Sequence, residues 1–137
     1  MKVLLDTNVL LDVGLQRVPF FEESDAVVQW CEAHPIGGFI AWHSLSNLYY
    51  LIGTQRGEEA ARSFLGVTLE SFVVAETSTA AAKQALELSV RDYEDALQVG
   101  AAIAAGADLI VTRDKRDFAR SPVKAISPAE FLELAAA

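Results

Sequence analysis

Asp6, Asp95, Asp114 and Asp117 are the residues of this chain whose type and placement could do chemistry together. Asp6 follows the apolar run Val3-Leu4-Leu5, and Asp114 and Asp117 follow Leu109-Ile110-Val111-Thr112. Asp95 lies one helical turn beyond Asp92, and Asn47 one turn into the segment after Phe39-Ile40-Ala41-Trp42. Two carboxylates about 4 Å apart repel by roughly 4 kcal/mol at an effective dielectric near 20. A cluster of them needs a cation or raised pKa values, and hard oxygen ligands favour Mg²⁺ or Mn²⁺. Each acid also has an ordinary role: Asp6 as a helix N-cap, Asp92 and Asp95 as an N-cap and N3 pair, Asp114 and Asp117 as turn residues. Those separate roles do not explain why all of them fall at one edge of the fold.

The elements that must position them are short apolar runs alternating with helices. Strands are expected at Val3–Leu5, Phe39–Trp42, Ser71–Val74, Leu109–Thr112 and Val123–Ile126. Helices are expected from Asp6-Thr7-Asn8, from Pro19 to about His34, from about Ser44, from Glu58 to about Leu65, from Thr79 to Leu88, and from Asp92 to the Gly106 stop. Pro19 suits a first helical turn, with Glu22 and Glu23 complementing the dipole. Ser127-Pro128-Ala129-Glu130 has an N-cap serine, Pro at N1 and Glu at N3, the pattern of a last helix start. Short, continuously apolar strands between helices indicate a mostly parallel five-stranded sheet covered on both faces, a three-layer α/β/α arrangement. Ligands of such sheets bind beyond the carboxyl ends of the strands, where the acids stand.

The runs Val3-Leu4-Leu5-Asp6-Thr7-Asn8-Val9-Leu10-Leu11-Asp12, Asp92-Tyr93-Glu94-Asp95-Ala96-Leu97 and Ile110-Val111-Thr112-Arg113-Asp114, with Asp117-Phe118, resemble the motifs of the PIN-domain family. Their order, spacing and the chain length fit, as does the closing Ile126-Ser127-Pro128-Ala129-Glu130-Phe131-Leu132. The resemblance implies one PIN-like unit over residues 1–137. It implies a Mg²⁺- or Mn²⁺-dependent ribonuclease, often the toxin of a VapC-type toxin–antitoxin pair, with a small antitoxin protein as partner and a homodimer as its assembly. On this reading Asp6, Asp95 and Asp114 hold the metal and Asp117 stands close by. Thr7 and Asn8 orient Asp6 or touch the RNA, and Arg113, Lys115 and Arg116 meet its phosphates. The chain departs from the family pattern at Asn47, where a carboxylate is usual. Glu94 could restore the charge, although adjacent helical residues do not share a direction, so it is expected beside the ligands rather than among them.

The formal charge of −8 is an awkward balance for a nucleic-acid binder. The basic residues Arg113, Lys115, Arg116, Arg120 and Lys124, however, crowd into one stretch beside the acids. Hydrophobic residues at 52 % suffice for one core and argue against disorder. No apolar run is long enough to span a bilayer, and the opening segment stops at Asp6 without the form of a secretory signal. Cys31, the only cysteine, cannot form an internal disulfide and reads as a small buried residue of a reducing, cytoplasmic compartment. His43 reads as a helix-start residue, and Trp30, Trp42, Tyr49 and Tyr50 as core or interface residues rather than base-stacking platforms. Two other functions fit less well. One is an inactive PIN-like module that binds RNA or a protein, favoured by Asn47. The other is a phosphatase or receiver domain with Asp6 as nucleophile; a phosphatase of the haloacid dehalogenase type wants a second Asp where Asn8 stands.

Overall fold

The structure is a computed structural model describing residues 1–137. Five strands, β1 (Val3–Leu5), β2 (Gly38–Ile40), β3 (Val73–Val74), β4 (Leu109–Val111) and β5 (Ala125–Ile126), form one sheet in the order β3-β2-β1-β4-β5. Every pairing is parallel, with Leu4 opposite both Phe39 and Ile110. Seven helices connect and cover it: α1 (Thr7–Gly14), α2 (Phe21–Ala33), α3 (Trp42–Arg56), α4 (Glu58–Ser71), α5 (Thr79–Glu87), α6 (Tyr93–Ala105) and α7 (Pro128–Ala136). A 3₁₀ turn, Lys115–Phe118, follows β4.

Alternation along β1 separates two cores, as the period of two along a strand requires. Val3 and Leu5 face a cluster with Val9, Leu10, Val27, Leu48, Ile52 and Phe131, contributed by α1, α2, α3 and α7. Leu4 faces the opposite cluster, where α6 supplies Ala96, Val99, Ala101 and Ala102. The small residues of α6 let that helix lie close against the central strands. The fold is thus the expected α/β/α sandwich. Strand order reverses direction on either side of β1, and the switch point lies between the carboxyl ends of β1 and β4.

Several boundaries differ from the sequence expectation. Trp42 belongs to α3, not to the second strand, because the chain turns at Ala41, whose extended backbone makes it the N-cap. α2 begins at Phe21, leaving Pro19 outside. α4 continues through Gly66 to Ser71, since one helical glycine costs only about 1 kcal/mol. Its far end buries Thr68, and Phe72, the residue that follows it, is buried too. The closing helix starts as read, with Ser127 and Glu130 forming a complete capping box. No helix is long and apolar enough to cross a membrane.

Candidate metal centre

Asp6 ends β1 and caps α1, its Oδ1 accepting from the Thr7 backbone N–H at 2.8 Å. Its Oδ2 accepts from the Thr112 hydroxyl at 2.8 Å, the residue after β4. Two hydrogen bonds would hold the charge, but Asp6 is almost completely buried, and burial outweighs them: its pKa is pushed up to about 6. The charges of Glu94 and Asp114 raise it further.

Asp95 reaches the same place from the first turn of α6. Its backbone N–H donates to the N-cap Asp92 Oδ2 at 3.3 Å, whereas its own carboxyl makes no capping bond in return. The carboxyl is therefore free for another role. Burial, then the charges of Asp6, Glu94, Asp92 and Asp117, push its pKa up to about 7.

Glu94 stands closer to Asp6 and Asp95 than its place in the sequence suggests. Ligand oxygens of Asp6, Glu94 and Asp95 all lie within 4.8 Å of one another. Adjacent helical residues do diverge at Cβ, but the longer Glu94 side chain is drawn in by two donors. His43 Nε2 donates to Glu94 Oε2 at 2.7 Å, and Gln98 Nε2 at 3.0 Å. These bonds, the His43 bond foremost, hold the Glu94 pKa below the usual range although burial opposes them.

Gln98 was not foreseen. It is fully buried at the meeting of α1, α3 and α6. Its Nε2 lies 2.9 Å from Ser44 Oγ and 3.1 Å from Thr7 Oγ1, which are themselves 2.8 Å apart. The signal was present: Gln98 is the only polar side chain between Asp95 and Gly106. Turned round, its amide would set Oε1 against the Glu94 carboxylate, so the donor side faces the cluster. Oε1 itself is buried without a partner.

Asp114 and Asp117 lie outside the group of three. Asn8 ties Asp114 to the site: its Nδ2 donates to Asp114 Oδ2 at 3.0 Å, and its Oδ1 accepts from the Arg113 N–H at 3.4 Å. Asp117 sits in the 3₁₀ turn, its N–H donating to the Asp114 carbonyl at 2.9 Å. Thr7 and Asn8 thus both brace the site, through Ser44 and through the β4 loop. Asn47 is half-buried on α3 and enters none of these hydrogen bonds.

The basic stretch divides in two. Arg113 Nε donates to Asp12 Oδ2 at 2.7 Å, and its guanidinium lies 3.8 Å from the Phe20 ring centroid. Asp12 is wholly buried, and Ser24 also donates to it at 3.0 Å. Lys115 Nζ pairs with Glu130 Oε1 at 2.8 Å. Arg116 and Arg120 make no ion pair; with Arg91 and the paired Arg113 and Lys115 they line an open cleft of about 670 Å³ that Asp114 and Asp117 also border. Arg91 escaped the sequence reading because it stands apart, just before α6.

Cys31 is buried, and burial pushes its thiol up to about 12, so it is inert as a nucleophile. His34 stacks on Trp30 and binds the Trp30 carbonyl, a structural role. Trp42 is not core: it stands 70 % exposed at the start of α3, next to His43.

The donor set of Asp6, Glu94 and Asp95 consists of hard oxygens only. Two of its three members, Asp6 and Asp95, hold protons unusually tightly, through burial first and then the like charges beside them. A divalent cation fits such a set.

Known proteins resemble this chain in sequence pattern and in fold. The PIN domain matches residues 2–116. No curated protein matches the chain. Among solved structures, a chain of VapBC2 from Rickettsia felis, in a complex bound to a promoter DNA fragment, superposes with a TM-score of 0.71 at 19 % identity, covering 93 % of this chain and 98 % of that one. VapC20 of Mycobacterium tuberculosis, described as a Sarcin-Ricin loop cleaving toxin, gives 0.65 at 16 %, covering 80 % and 87 %. FitAcB from Neisseria gonorrhoeae gives 0.66 at 16 %, covering 93 % and 98 %. At these identities the likeness is one of fold.

Proposed function

The chain belongs to the PIN-domain family, and from that membership we propose that it is a Mg²⁺- or Mn²⁺-dependent endoribonuclease, one PIN-like unit over residues 1–137 and the toxin of a toxin–antitoxin pair. The observation that carries this reading is the convergence of Asp6, Glu94 and Asp95 at the switch point of the sheet. Asp6 and Asp95, with Asp114 opposite and Asp117 behind it, would hold the ion. Bound there, a divalent cation lowers the pKa of a water and offsets charge on the phosphate. Thr112 and the Thr7 N–H fix the orientation of Asp6, one oxygen each. Asn8 holds Asp114 against α1. Arg116, Arg120 and Arg91 meet the backbone of the RNA in the adjoining cleft, while Arg113 and Lys115, already paired, contribute less.

The VapBC and FitAB neighbours are toxin–antitoxin assemblies, which supports a small antitoxin as the partner of this chain. We extend the same reading to a homodimer and a cytoplasmic location. The test is cleavage of a single-stranded RNA in Mn²⁺ by the wild type and by Asp6→Asn. Cleavage that EDTA abolishes and that Asp6→Asn lacks supports the proposal. Binding without cleavage under every divalent condition favours the second reading, an inactive PIN-like module, for which Asn47 is the specific observation.

A further inference from the structure

We infer that Glu94 is a metal ligand of this chain, and that His43 and Gln98 are the positioning residues that hold it. The inference rests on the reading that the cluster binds a divalent cation, and adds which residues complete it.

The assignment stands on the geometry of Glu94 itself. Asn47 makes no hydrogen bond to any member of the cluster, and its amide carries no charge. Glu94 offers an oxygen within 4.8 Å of oxygens of both Asp6 and Asp95. Both protein donors on Glu94 go to Oε2, which leaves Oε1 for a ligand. Here the second donor is a glutamine with no solvent exposure, whose carbonyl oxygen is left without a partner so that its N–H faces the carboxylate.

The framework behind Glu94 reaches three elements. Gln98 joins Glu94 to Ser44 on α3 and to Thr7 on α1. His43, one residue before Ser44, delivers the shorter bond. A hydrogen bond that fixes a ligating carboxylate typically matters 10–100-fold in metal affinity.

Mn²⁺ titration by calorimetry, with thermal melts as the folding control, tests the assignment on the intact chain. Glu94→Gln keeps an acceptor for His43 and Gln98 and removes only the charge, so it should stay folded. It should bind Mn²⁺ at least tenfold more weakly than wild type. Gln98→Leu should lose about tenfold, and His43→Gln, which retains a donor, should lose less than His43→Ala. Wild-type affinity in a folded Glu94→Gln protein overturns the inference while leaving the metal site standing. A wild type that binds no Mn²⁺ overturns both.

Discussion

The Thr112 hydroxyl donates to Asp6 Oδ2 at 2.8 Å, joining the ends of the neighbouring strands β1 and β4. The same Thr112 oxygen accepts from the Asp114 N–H at 3.0 Å. One hydroxyl therefore orients the central carboxylate and sets the start of the loop that carries Asp114 and Asp117. Even so, the bond does not compensate for the burial of Asp6, which stands beside the like charges of Glu94 and Asp114.

That imbalance predicts the pH dependence of the metal-free protein. An unfolded Asp ionises near 3.9, whereas Asp6 and Asp95 hold their protons to about 6 and about 7 in the fold. The folded state binds protons more tightly, so the stability these two groups give is full below about pH 4 and is lost as pH rises through 6 to 7. Glu94 and Glu130, with lowered pKa values, act in the opposite sense and lose their contribution as pH falls below about 4. Melts in EDTA should therefore show the highest Tm near pH 5 and a lower one at pH 8. With Mn²⁺ the fall towards pH 8 should disappear, because the cation replaces the protons. An EDTA profile that rises from pH 5 to pH 8 would contradict the burial account.

The two halves of the basic stretch should separate in mutagenesis. Arg113→Ala leaves the wholly buried Asp12 with Ser24 and a distant Arg17, at 3.6 Å, as its remaining partners. Removing one partner of a buried pair costs about 3 kcal/mol, and urea denaturation should show a loss of that order. Arg116→Ala with Arg120→Ala should leave the urea midpoint unchanged and weaken RNA binding. Two fewer phosphate contacts should reduce the slope of log K against log salt by about 1.4. Equal loss of stability in both variants would show that the cleft arginines are structural.

Gly38 offers a test of the frame that carries the site. A Cβ there would lie 2.8 Å from Cys31 Cβ and 2.9 Å from the Phe72 ring, both buried in the core beneath β2. Overpacking of this kind costs about 1–3 kcal/mol, so Gly38→Ala should lower the Tm by several degrees. Gly66→Ala, which meets open space on α4, should raise stability by up to about 1 kcal/mol. Calorimetric melts of the pair check both signs.

The sequence made the sheet legible because each strand is a short apolar run bounded by a polar residue or a turn. It brought Asp6 and Asp95 to one place because a parallel sheet turns strand ends into a common edge, whereas Asp114, expected with them, lies outside the group of three. What it hid depended on side-chain length and on contacts across elements. Glu94 joins the cluster through a flexible side chain caught by His43, 51 residues earlier. Arg113 and Asp12 meet 101 residues apart, so the ion pair that ties Arg113 to a buried acid could not be read from the sequence. The boundary between β2 and α3 was equally hidden, since Ala41 has no side-chain signature of an N-cap.

The decisive measurement concerns Asp95→Asn. Asp95 receives the cap of α6 through its backbone N–H, from Asp92, and its carboxyl caps nothing. The substitution therefore keeps the helix start and a similar shape, and removes one charge from a group that repels it from Asp6, Glu94, Asp92 and Asp117. In EDTA at pH 8 the variant should be as stable as the wild type or more so. Cation at ten times its dissociation constant adds about 1.4 kcal/mol to the wild type, if it binds the folded cluster and not the unfolded chain. In a chain of this size that corresponds to a rise in Tm of roughly 3–6 °C. Asp95→Asn should lose most of that rise and all cleavage of RNA, the exchange of stability for function expected where like charges are assembled for a ligand. If Mn²⁺ shifts wild type and variant equally, the cation is acting elsewhere on this acidic chain, and the cluster at the switch point is not its site.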